Sequence, residues 1–374
     1  MTDDGTGGDA LAGDGIYSAT IPAQSGGTVV AFLVQARDSL AGATTTLPAD
    51  LKDNAGIPRE CVVVFGDPIP TGSFSHHHVF ITQNWAQLWA TWGGVSHESY
   101  DGTWVDGGGR IVYDWKGRYA GSPYHQYLGS PIGTVGGMHW YMPEDDQVFG
   151  TTSFDKQHVP GNGALDDDTL QREQASYWMA HKIGLPRQNR RFYFYYVNGN
   201  RHGPLMEDAQ VPGAEMLKEY WPNDNNGWLY KNHGWFEGDV ALQSDGYMNM
   251  NMPSWCTLGA YTTTINGVAN QYKLARYRWM WLAKQYPSSV NDYGQVFALI
   301  NAANTPTTSP AYYARMEAQV DTEEWMRLSA MEHATGDWDS FFTQNQWNMY
   351  CYKPTMGKWT ALKWVHPRSA CLEL

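Results

Sequence analysis

The sequence predicts an α+β fold, strand-rich in its first half and helix-rich in its second. Three observations carry this. Short alternating or β-branched runs bounded by glycine turns crowd residues 17–142. Apolar residues at helical spacing dominate residues 273–335. Hydrophobic residues make up 42% of the 374, with 18 Trp and 23 Tyr, so there is material for a large core. A chain of this length exceeds one ordinary domain, which predicts a large core plus a small satellite.

The elements follow in order. Residues 1–46 open on an Asp/Gly loop and continue as β patterns at 17–21 and 28–35, around the turn Gln24-Ser25-Gly26-Gly27. They read as part of a β-sandwich module. Asp3, Asp9 and Asp14 offer the clustered oxygens that Ca²⁺ favours, although plain turns use glycine-spaced aspartates too. Residues 47–59 read as a linker, and residues 60–374 as the large domain. There the spacing predicts a strand at 61–65 and a helix over 84–92 with Trp85, Leu88, Trp89 and Trp92 on one face. Short strands at 110–113, 116–119 and 139–142 are expected, with Gly107-Gly108-Gly109 as a hairpin turn. Asp168 with Gln171 three residues on marks a helix start, and Gly184 its end. Residues 191–197 form a strand that turns at Asn198-Gly199 and returns over 203–206. Helices are expected at 273–286, 295–301, 312–320 and 323–335.

Composition excludes several roles. A net charge of −13, with Arg187, Arg190 and Arg191 the notable basic cluster, argues against a nucleic-acid backbone binder. Cys61, Cys256, Cys351 and Cys371 form no C-x-x-C pair and suit no zinc knuckle. No apolar run approaches the roughly 18 residues a membrane span needs. Charged residues are 17%, below the roughly 25% usual in soluble domains, a polar but weakly charged surface commoner outside cells. The first residues lack leader character and read as the middle of a domain. The expected location is therefore extracellular or cell-surface, with the leader absent from this chain.

Several groups could carry chemistry. In a strand, His76 and His78 of His76-His77-His78 share a face, so at most those two could share a metal. H-E-x-x-H, G-x-S-x-G and the P-loop are missing. Arg118 and Ser122, in Arg118-Tyr119-Ala120-Gly121-Ser122, end a strand where backbone N–H groups and a hydroxyl can meet an anion. Glu207, beside Asp208 at the edge of an apolar hairpin, needs a cation, a metal or water. Asp337 and Asp339, followed by Asn345 and Asn348, gather carboxylate and carboxamide oxygens behind a helix. Metal-assisted phosphoryl transfer uses such a set, hydrolysis similar parts, and caps and turns the same residues.

These pieces together resemble the spore-coat protein H (CotH) kinase family of atypical protein kinases. The resemblance rests on 118–125, on Asp167-Asp168-Thr169 through Gly184-Leu185-Pro186, and on 192–199 with Met206-Glu207-Asp208. Gly336-Asp337-Trp338-Asp339 and Asn348-Met349-Tyr350 through Gly357-Lys358-Trp359 complete it. It implies a kinase-like fold that binds ATP with Mg²⁺ (or Mn²⁺) and phosphorylates Ser/Thr of exported or coat proteins. It implies Asp337 or Asp339 as catalytic and Asn345 or Asn348 as the amide metal ligand. Arg118, Ser122 and Glu207 fall to the nucleotide, with Glu207 paired to a phosphate-binding lysine or the metal. Two departures stand out. Residues 136–141, where the family has a lysine-rich strand, hold none, and Trp364 is followed by Val365-His366-Pro367 instead of Asp-x-Asp. The domain is accordingly expected to be C-terminally incomplete. Two readings follow: a kinase, active or inactivated in this chain, or a non-catalytic, pseudokinase-like secreted binding module.

Overall fold

The computed structural model describes residues 1–40, 42–49, 58–66, 74–91, 98–119, 138–158, 171–202, 205–233, 235–242, 248–254, 257–337, 340–343 and 348–364. Seven helices and many short strands among them make a mixed α/β protein. None of those helices is long and apolar enough to cross a membrane. The chain forms two compact units: Met1–Asp146 with Phe192–Met206, and Gln147–Arg191 with Glu207–Leu374.

In the first unit, strand Val29–Phe32 pairs antiparallel with Cys61–Val64, across the stretch expected to be a linker, and Val34–Arg37 pairs with Thr44–Leu47. The 28–35 pattern is thus two strands that break at Leu33. Of residues 17–21, Ser18 makes one isolated bridge to Thr2. Strand Ser75–Phe80 lies between Tyr100–Asp106, antiparallel, and Arg190–Val197, parallel. Tyr100–Asp106 runs through the Gly107–Gly109 turn into Ile111–Tyr119, which pairs with Met138–Tyr141. The two strands expected at 110–113 and 116–119 are one, because Tyr100–Asp106 pairs across the junction, from Ile111 to Gly117. Asn198 and Gly199 turn with positive φ (47° and 79°), and the return strand is Asn200–Arg201, earlier than 203–206. Alternation sends His77 inward, where its ring stacks 4.5 Å from Tyr193 beside Trp104 and Trp140. His76 and His78 share the other side, with ring nitrogens 3.1 Å apart. Helix Gln83–Thr91 forms as expected, with Trp85 and Trp89 buried.

The second unit is built on a four-stranded antiparallel sheet in the order Trp281–Gln285, Trp228–Asn232, Met349–Lys353, Thr360–Lys363. Period-two alternation gives it two apolar faces. Tyr230, Cys351 and Ala361 join the core formed with Val296, Leu299, Leu328 and Met331. Leu229, Tyr350, Tyr352 and Leu362 pack with Met216, Leu217 and Trp364. The helix expected over 273–286 forms only as Leu274–Met280, and the chain continues as strand Trp281–Gln285. Pairing with Trp228–Asn232 overrides helical propensity there, and the buried Trp281 anchors the switch. Helices Gly294–Ala303, Tyr312–Gln319 and Thr322–Ala334 lie close to their expected bounds. Asp321 caps the last of these, accepting from the Glu324 amide at 3.1 Å.

Candidate functional site

The helix Thr322–Ala334 runs beside the final strand of the second unit and is fastened to it by polar groups. Trp325 Nε1 donates to the Trp359 carbonyl at 3.0 Å, and Glu324 Oε2 accepts from the Ala361 amide at 3.0 Å. That edge N–H is thereby satisfied within the fold. Two residues along, alternation sends Lys363 to the same side as Ala361. Its Nζ meets Asp337 Oδ2 at 2.7 Å, both side chains being fully buried.

Asp337 is positioned by the helix end. Its amide donates to the Glu332 carbonyl at 2.9 Å, and Gly336 takes φ 67°, the left-handed conformation that glycine adopts without strain. Glu332 lies on the helix's inner side, and its Oε2 accepts from Ser340 Oγ at 2.6 Å. Burial pushes the Glu332 carboxyl up to about 7, against the lowering effect of Lys363, and Asp337 raises it further. The ammonium is bonded to Asp337 and its charge also acts on Glu332, whose carboxyl is lowered further by the Phe342 amide. Asp337 Oδ1 has no hydrogen-bond partner among the described residues.

A second charged group lies against the ring of Tyr177. Arg190 pairs through Nη1 with Glu173 and through Nε with Glu207 Oε1 at 3.3 Å. Gln174 Nε2 donates to Glu207 Oε1 at 2.6 Å. The Tyr177 ring carries the Arg190 guanidinium 4.3 Å from its centroid and the Lys363 ammonium at 5.6 Å. Helix Arg172–Lys182 supplies Glu173, Gln174 and Tyr177, strand Arg190–Val197 begins with Arg190, and strand Met206–Gln210 brings Glu207. Burial pushes the Glu207 carboxyl up to about 8, opposed by Arg190 and assisted by Glu173. Glu207 is 4% exposed, so it does not sit on a solvated hairpin end. Its basic partner is an arginine, not a lysine.

The remaining expected residues divide. Arg118, in the first unit, donates Nε to Tyr141 Oη at 3.0 Å and Nη1 to the Tyr119 carbonyl at 2.8 Å. Asn348 takes φ 53° just before strand Met349–Lys353, a conformation asparagine tolerates. Ser122, Asp339 and Asn345, and the cap expected at Asp168, lie outside the described residues. His139, on the strand expected to hold a lysine, is buried beside Tyr141 with rings 4.5 Å apart. Carboxylate oxygens of Asp3, Asp9 and Asp14 do converge within 4.8 Å of one another. Backbone amides occupy them: Gly13 and Gly15 donate to Asp3, and Gly5 to Asp9.

The model of the CotH kinase protein family matches residues 161–364. This chain belongs to the CotH kinase family. A comparison with curated proteins finds no match. The matched span contains Glu173, Arg190, Glu207, Glu332, Asp337 and Lys363, whereas Arg118 and Ser122 precede it. Reading the sequence missed Lys363, Glu332 and Glu173. For Lys363 a signal existed: Trp359, Ala361 and Lys363 alternate onto one face, so a charge at the third position calls for a buried partner.

Proposed function

We propose that this CotH-family chain transfers a phosphoryl group from ATP to Ser/Thr hydroxyls of exported or spore-coat-type proteins, on a kinase-like fold. The observation that carries this is the family match over 161–364, a span in which the buried Asp337 carboxylate stands at a helix end with one oxygen unpartnered among the described residues. In this reading the Asp337–Asp339 segment orients the acceptor hydroxyl, with Asp337 held by Lys363. Glu207 and Arg190 order the nucleotide side. Carboxylate and carboxamide oxygens are the hard donors that Mg²⁺ and Mn²⁺ take, so the donor set fits such an ion. Asn345, Asn348 and the free oxygen of Asp337 would hold it, and it would offset charge on the transferring phosphoryl group.

A non-catalytic, nucleotide-binding or structural role is the second reading. It is favoured by the absence of lysine from residues 136–141, where His139 is a weaker partner for a triphosphate. The test is to incubate the chain with γ-labelled ATP, Mg²⁺ or Mn²⁺ and a Ser/Thr-rich acceptor protein, alongside calorimetric titration of Mg–ATP. Label on acceptor hydroxyls is the expected result. Saturable binding without transfer moves the chain to the second reading, and neither binding nor transfer overturns the nucleotide role altogether.

A further inference from the structure

Among the described residues of the second unit the ion pair Lys363–Asp337 is the most completely buried, at 0% side-chain exposure for both partners. An ion pair in such a place is a poor stabiliser. The desolvation of both charges offsets their attraction, and apolar side chains of similar volume commonly serve as well or better. Packing alone therefore does not account for a lysine here. What a lysine does that a leucine does not is hold one carboxylate oxygen in place and leave the other aimed elsewhere.

The surroundings make the hold rigid. Lys363 is the last residue of a strand whose neighbour Leu362 is fully buried on the opposite face. Its carbonyl accepts from the buried Gln188 Nε2 at 2.6 Å, and its ammonium lies over the Tyr177 ring. Beyond the helix, residues 340–343 are tied to Glu332, which the Lys363 charge also reaches, and to one another. Ser340 Oγ binds Glu332, the Ser340 amide donates to Thr343 Oγ1 at 3.2 Å, and the Thr343 amide donates to the Ser340 carbonyl at 3.1 Å.

We propose that Lys363 is a positioning residue for the transfer reaction proposed above, on which this inference rests. From the end of the strand Thr360–Lys363 its ammonium fixes the Asp337 carboxylate, and with it the course on which the chain leaves the helix Thr322–Ala334. It acts through Asp337 and touches no substrate.

The test separates this role from stability. Lys363→Met alone leaves two buried carboxylates without a cation and is expected to unfold readily. The double variant Lys363→Met/Asp337→Leu removes the pair together, leaving Glu332 with its bond to Ser340, and is expected to regain the native melting temperature. In that variant, amide hydrogen exchange at position 337, Ser340 and Thr343 should speed up by about tenfold or more, with Leu328 and Met331 in the helix unchanged. Because Asp337 itself belongs to the proposed site, transfer is read in Lys363→Gln, which keeps Asp337 and an N–H donor but removes the charge: kcat should fall by about 100-fold at an unaltered KM for ATP. Native exchange at those three amides in the stable double variant, or native kcat in Lys363→Gln, overturns the proposal. If the unaltered chain transfers no phosphoryl group, the functional reading fails on its own, and the exchange measurement still decides the positioning role.

Discussion

Replacing Arg190 by Met is expected to cost about 3–5 kcal/mol of folding stability, measured by urea unfolding at pH 7. The Arg190 side chain is only 2% exposed, and its guanidinium lies between Glu173 and Glu207 and against the Tyr177 ring. Methionine fills much of the same volume but leaves two carboxylates facing each other in a low-dielectric interior. A triple replacement, Arg190→Met with Glu173→Gln and Glu207→Gln, removes the stranded charges and should recover most of the loss. If Arg190→Met alone costs under about 1 kcal/mol, the range of an exposed pair, these three side chains do not form a buried network. The same pair of measurements bears on function. A triple variant that folds and still binds Mg–ATP like the parent would release Glu207 and Arg190 from the nucleotide side.

Much of the fold was legible, for identifiable reasons. The helices at Gln83–Thr91, Gly294–Ala303 and Thr322–Ala334 announce themselves by apolar spacing, because each buries one stripe against a core. Asn198-Gly199 announces its turn through the positive φ both residues adopt. Residues 281–285 did not announce themselves. Trp281, Leu282 and Ala283 suit a helix as well as a strand, and only a partner about 50 residues away in sequence, Lys231 against Leu282, settles the choice. The site divided in the same way. Asp337 and Glu207 were visible as carboxylates beside apolar runs, which need partners. Their partners were not visible, since Lys363 and Arg190 come from strands whose facing is fixed by tertiary pairing. The lysine looked for at 136–141 is absent there, and the buried cations at this site are supplied by other strands.

Stability is expected to fall as pH rises from about 5 to about 8. Burial raises three glutamate carboxyls from their ordinary 4.5: Glu207 and Glu324 to about 8, and Glu332 to about 7. Between 4.5 and those values the folded chain holds protons that the unfolded chain has released. Unfolding then releases protons, so raising the pH favours the unfolded state, and the stability present below 4.5 is lost progressively toward 8. Glu324 gives the cleanest test, because its role is to accept the Ala361 amide while its other oxygen lacks a hydrogen-bond partner among the described residues. Glu324→Gln keeps that acceptor and has no charge to desolvate. At pH 8 it should unfold later than the parent by on the order of 2 kcal/mol, and at pH 5 by much less, since each tenfold change in proton affinity corresponds to about 1.4 kcal/mol. Urea titrations at the two pH values read this directly. A difference between variant and parent that is the same at pH 5 and pH 8 would show that Glu324 ionises normally, and would remove it from the set of buried, proton-holding groups along the helix Thr322–Ala334.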